Sequence, residues 1–142
     1  MDKLRFKEHN DVVIELEILR SEREGILRLR EALMSPPSPQ NDGMPRGDKP
    51  YHDSMAEGVC GLVDRTNKLD DRIKELIKIN IDIIEQIEDF IELLDNPCDR
   101  NIMRLRYIHR KKWEDIAEEL HYDERHVRRL HDKIINLNKT CP

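Results

Sequence analysis

Arg125, Arg128, Arg129 and Lys133 follow one another at spacings of three, one and four residues, which sets four cations on one side of a helix. A guanidinium is a planar fork of donors that matches the O6 and N7 edge of guanine or two phosphate oxygens. The chemistry on offer is therefore recognition of nucleic acid, not bond-making. Arg125, Arg128 and Arg129 are the candidates for base edges and adjacent phosphates; Lys133, a turn later, suits the backbone. Arg106, Arg110, Lys111 and Lys112 precede this segment and suit sequence-neutral phosphate contact. His126 and His131 could also reach DNA, while Trp113 reads as packing at the motif edge and not as a base-stacking platform.

Bond-making chemistry finds no support elsewhere. His121, His126 and His131 recur every five residues, which scatters them around a helix instead of converging them on a metal. Cys98 and Cys141 have no nearby histidine–acid arrangement of a thiol enzyme, and acidic neighbours such as Asp70-Asp71 and Glu118-Glu119 are ordinary solvated helix faces. Signatures of phosphate loops, dinucleotide folds, zinc proteases and serine hydrolases are missing. No catalytic activity, metal or cofactor is expected.

The cations need a rigid mount, and the residues from Trp113 to Leu130 spell one. A helix-turn-helix requires a small residue where its second helix crosses the first, and Ala117 supplies it, flanked by the apolar Ile116 and Leu120. Tyr122 stands just after the turn as a further inward residue, and Val127 and Leu130, three apart, form the inner stripe of the second helix. Asp123 fits the N-cap. The turn needs a left-handed backbone at His121, a residue type enriched there although glycine is the usual choice. Helices are expected over about 98–109, 113–120 and 124–138, the first opened by Asn96-Pro97, a cap followed by the favoured first helical residue.

Upstream, the pattern changes twice. Val12, Leu16, Leu19, Ile26 and Leu33 recur at helical spacing through the first 34 residues. Residues 35–53 hold five prolines (Pro36, Pro37, Pro39, Pro45, Pro50) and read as a linker, within which Arg46-Gly47-Asp48 is a coincidence. A long helix follows over 54–95, with Ser54 to Glu57 as a capping box. It carries a heptad: Leu62, Leu69, Leu76, Ile83 and Phe90 at d, Thr66, Ile73, Asn80, Ile87 and Leu94 at a. Asparagine at a is a device for fixing register and strand number. Leu69, Ile73, Leu76, Asn80, Ile83, Ile87, Phe90 and Leu94 are accordingly the candidate seam of a homodimer. Ile77, Ile84 and Ile91 at e widen the stripe, which asks for a third contact such as the first helix folding back. The competing arrangement is a single intramolecular hairpin.

Composition fits this layout. Of 142 residues 39% are charged and 4% aromatic, which suits narrow apolar stripes on helices rather than a deep sheet core. The net charge of −5 is uneven: −1 over residues 1–33, −2 over 34–61, −5 over 62–97 and +3 over 98–142. The last third alone is basic. No apolar run would span a membrane, the opening Met1-Asp2-Lys3 does not start a signal peptide, and Cys60, Cys98 and Cys141 read as reduced thiols. A cytoplasmic location is expected.

The stretch Asp99 to Ala117, with Leu105-Arg106-Tyr107, Trp113-Glu114-Asp115-Ile116-Ala117 and Val127 to His131, resembles the fourth region of bacterial sigma factors. More narrowly it resembles the ArpU/RinA-type transcriptional regulators of phages. Met44-Pro45-Arg46-Gly47-Asp48 and the long charged helix are similar in layout. The resemblance is specific over about 99–135, and the chain has His121 where that family carries glycine and Asp123 where it carries a small or hydroxyl residue. It implies a sequence-specific, prophage-encoded DNA-binding regulator of late-gene promoters. The expectation is thus an all-α chain: a helical hairpin or coiled coil for self-association, then a domain over 96–142 that reads the major groove with helix 124–138. A rival reading makes it an interaction protein whose acidic coiled coil binds bacterial RNA polymerase or a phage packaging component. A third, a ring-forming DNA-packaging protein, would need a higher oligomer.

Overall fold

The computed structural model describes residues 3–35 and 51–137. The expected linker residues 36–50, with the Arg46-Gly47-Asp48 tripeptide and the Met44-Pro45 segment, lie outside the described residues, as does Cys141. Within them the chain is all-α: α1 (Lys3–Met34), α2 (Tyr51–Glu92), α3 (Pro97–Met103) continuing into a π-helical turn (Arg104–Ile108), α4 (Trp113–Leu120) and α5 (Glu124–Leu137). α2 spans Tyr51–Glu92, so Ser54, expected at the start of the helix, falls within it. Among the described residues no helix is long and apolar enough to cross a membrane.

Two compact units divide the chain, Glu15–Ile77 and Met1–Ile14 with Lys78–Pro142. In the first, the later part of α1 runs antiparallel to the earlier part of α2. The direction is fixed by the ion pairs Glu15–Arg72 at 3.1 Å, Glu22–Arg65 at 2.8 Å and Arg23–Asp70. Leu16, Ile26, Thr66, Ile73 and Leu76 are buried in this unit. Thr66 tolerates burial because its hydroxyl donates to the Leu62 carbonyl at 2.8 Å.

The second unit holds the main core. Phe6 of α1 joins Ile83, Ile87, Phe90 and Ile91 of α2, Met103 of α3, and Ile134 and Ile135 of α5. A smaller cluster of Ile102, Ile116, Ala117 and Val127 ties α3, α4 and α5 together, with Cys98, Leu105, Trp113, Leu120 and Leu130 around it. The α2–α3 junction forms as the sequence predicts. Asn96 is extended (φ −83°, ψ 121°) and its side chain accepts from the Cys98 amide at 3.0 Å, with Pro97 opening the helix.

The proposed dimer seam requires correction. Ile73, Leu76, Ile83, Ile87 and Phe90 are buried within a single chain, and Leu69, Asn80 and Leu94 are half-buried there. The heptad stripe is real, but this chain's own helices cover it. Leu33, placed on the inner stripe of α1 by its spacing, faces solvent instead.

Candidate nucleic-acid interface

α4 ends in a Schellman closure. The Tyr122 amide donates to the Ala117 carbonyl at 2.9 Å and the His121 amide to Glu118 at 3.2 Å, with His121 left-handed at φ 56°, ψ 39°. His121 and Tyr122 make the turn, and Asp123 stands just before α5, its carbonyl accepting from the Val127 amide at 3.1 Å. Val127 is fully buried and Leu130 half-buried in the smaller cluster, so α5 docks by one inner stripe. The acidic first turn (Asp123, Glu124) complements the helix dipole.

The opposite face of α5 exposes Arg125, Arg128, Arg129 and Lys133. Arg128 is ion-paired with Glu124 one turn back, and the two residues, with Asp123 and Arg125, line an open surface depression. Arg129 lies 3.4 Å from Nδ1 of His126, whose ring sits 5.3 Å from that of Tyr122. Tyr122 is 45% exposed and so is not a core residue, contrary to its sequence-based placement. Its hydroxyl engages the Cys98 thiol, and that hydrogen bond raises its pKa above the ordinary value. The ring therefore lies at the edge of the module, between Cys98 and His126.

The upstream cations divide. Lys112 and Arg110 are exposed, the latter at a left-handed φ of 56°. Lys111 is half-buried and ion-paired with Glu119. Arg106 is a structural residue: its Nη1 donates to the Lys111 carbonyl at 2.9 Å and its guanidinium lies 4.4 Å from the centre of the Trp113 ring. Arg128 approaches the same ring at 5.9 Å, so Trp113 joins the α3–α4 loop to the cationic face of α5.

His131 also departs from its expected place. It is 8% exposed, out of reach of any groove. Burial lowers its pKa, against the smaller opposing effect of Asp132. With the neutral ring's Nδ1 3.3 Å from the Asp132 carboxylate, the proton belongs on Nδ1, and Nε2 accepts from the Tyr107 hydroxyl at 2.8 Å. Burial pushes that phenol up to about 12, so it remains a donor. Phe6 packs on Tyr107 at 4.5 Å, His9 bonds the Tyr107 carbonyl at 3.1 Å, and Trp113 meets His131 edge-on at 4.8 Å. The sequence signal lay in the spacing: Val127, His131, Ile134 and Ile135 occupy one helical stripe.

Among the described residues, no group of three or more His, Cys, Asp or Glu side chains is placed to hold a metal. No curated protein and no solved structure matches this chain. A family model described as "Protein of unknown function (DUF722)" matches residues 63–139, more than half of the 142, and the chain belongs to that family.

Proposed function

We propose that the chain is a sequence-specific DNA-binding transcriptional regulator whose helix α5 enters the major groove. The observation that carries this reading is the division of α5. One stripe, Val127 with Leu130 and Ile134, is anchored beneath, while Arg125, Arg128, Arg129 and Lys133 stand outward beside the exposed Tyr122. Lys112 and Arg110 on the preceding loop supply phosphate contacts, and Arg106 supports that loop from below. The ion pair between Glu124 and Arg128 is exposed and weak, so Arg128 can exchange it for a base or phosphate.

A second reading, an interaction protein binding RNA polymerase or a phage packaging component through α2, draws on Asp82, Glu85, Glu88 and Asp89, all of which face solvent. One experiment separates the two. Fragmented DNA of the source genome is passed over the protein at two salt concentrations, alongside a variant with Arg128→Glu and Arg129→Glu. A regulator retains one site through moderate salt and the variant loses it. Retention that is uniform across fragments and vanishes with salt means phosphate attraction alone, and sinks the regulator reading. Loss of DNA with capture of a protein partner unchanged supports the second.

A further inference from the structure

Arg125, Arg128, Arg129 and Lys133 all stand outward on α5, but they are not held alike. Arg125 and Lys133 are exposed, and Arg129 meets His126, one turn back on its own helix. Arg128 instead lies 5.9 Å from the centre of the Trp113 ring, which belongs to α4. Within about 6 Å a guanidinium is attracted to an aromatic face, most strongly to an indole. The ring is itself fixed. The Arg106 guanidinium lies 4.4 Å from its centre and is held in turn by the Lys111 carbonyl. His131 meets it edge-on at 4.8 Å, and it packs against the cluster of Ile116 and Val127. Arg128 thus rests on a surface anchored outside its own helix.

That difference decides what each cation can read. A phosphate accepts a mobile cation from many directions, whereas the O6 and N7 edge of guanine requires a fork held in its plane. An arginine gives up much rotamer freedom to take that one geometry, and less when a neighbour already restricts it. Glu124 restricts Arg128 too, but that ion pair is partly exposed and must open before the fork can meet a base. The indole carries no charge to surrender, and its own partners keep it in place. Resting on the reading of α5 as the helix that enters the groove, we infer that Trp113 is a positioning residue. It aims Arg128 at one guanine of the site and makes Arg128 the specificity-determining cation of α5.

Selection by the full chain from a pool of randomised duplexes, read position by position, tests this. The wild type is expected to select a site with one guanine that Arg128→Lys no longer requires, since lysine keeps the charge without the fork. A bidentate contact gives a preference of roughly tenfold or more at that position. Trp113→Leu is expected to flatten the preference at the same guanine and to leave the other selected positions as they were. Trp113→Phe, which keeps a smaller ring face, should retain part of it. Added to Arg128→Lys, Trp113→Leu should change nothing further at that guanine. Circular dichroism checks the fold of each variant. If the leucine variant is unfolded, Trp113→Phe decides alone, because the smaller ring should lower the preference at that guanine and nowhere else. A guanine preference that survives loss of the indole overturns the inference. So does an equal loss at every position, which is what a merely structural tryptophan would give. A wild type that selects no sequence removes the regulator reading itself, and this inference with it.

Discussion

The buried pair of Tyr107 and His131 makes the seat of α5 depend on the protonation of one imidazole. The folded state holds His131 neutral, with its pKa below the usual 6.5, while the unfolded chain takes up a proton near 6.5. Stability is therefore whole above that value and falls as pH drops from it toward the folded-state pKa. Thermal midpoints measured between pH 8 and pH 5, on the order of the histidine range, should decline for the wild type, and His131→Gln should flatten the decline. The chain has a single tryptophan, Trp113, edge-on to His131 at 4.8 Å, so its emission should quench over the same interval in the wild type alone. Equal pH slopes in both proteins would refute the assignment. The same residue shows what spacing could and could not reveal. Its place in the stripe with Val127 and Ile134 was legible, but histidine is so often a surface residue that the stripe alone did not mark it as buried. Tyr122 went the other way. A ring after a turn suits a core, yet this one stays 45% exposed at the module's edge, with its hydroxyl on Cys98.

At the scale of elements, most of the architecture follows from the sequence. Asn96-Pro97 opens α3, Ala117 lies in the smaller core cluster, and α4 and α5 span 113–120 and 124–137, within a residue of their expected bounds. The heptad also gave the right face of α2: Thr66, Ile73, Leu76, Ile83, Ile87 and Phe90 are all buried. What covers that face was not legible, because a heptad specifies an apolar stripe and not whose side chains fill it. Phe6, His9 and Tyr107, distant in sequence, carry much of the answer, and no local pattern links them. Asn80 remains the odd member of the stripe. Its Oδ1 is buried with no hydrogen-bond partner. Replacing such a group with an apolar one removes a desolvation cost of about 1–3 kcal/mol. Asn80→Leu should therefore raise the denaturation midpoint, and urea unfolding of the two proteins measures the gain. A destabilised variant would mean that Asn80 has a partner in solution.

Over the whole molecule, the two units are held by different forces, and this should appear in how each opens. The unit of Met1–Ile14 with Lys78–Pro142 has both apolar clusters, with Ile87, Ile91, Ile102, Met103, Ile116 and Val127 fully buried. In Glu15–Ile77, a short line of buried side chains is flanked by the pairs of Glu15, Glu22 and Arg23 with Arg72, Arg65 and Asp70, all partly exposed. Exposed ion pairs contribute about 0.2–1 kcal/mol each and weaken with salt, whereas apolar burial does not. Local opening of residues 15–34 and 56–77 should therefore require less free energy than opening of residues 83–135. Native-state hydrogen exchange of the full chain should show the first set exchanging faster, with the gap widening as salt rises. Uniform protection across both units, unaffected by salt, would show that the antiparallel pair is stabilised by packing and that its charges are incidental.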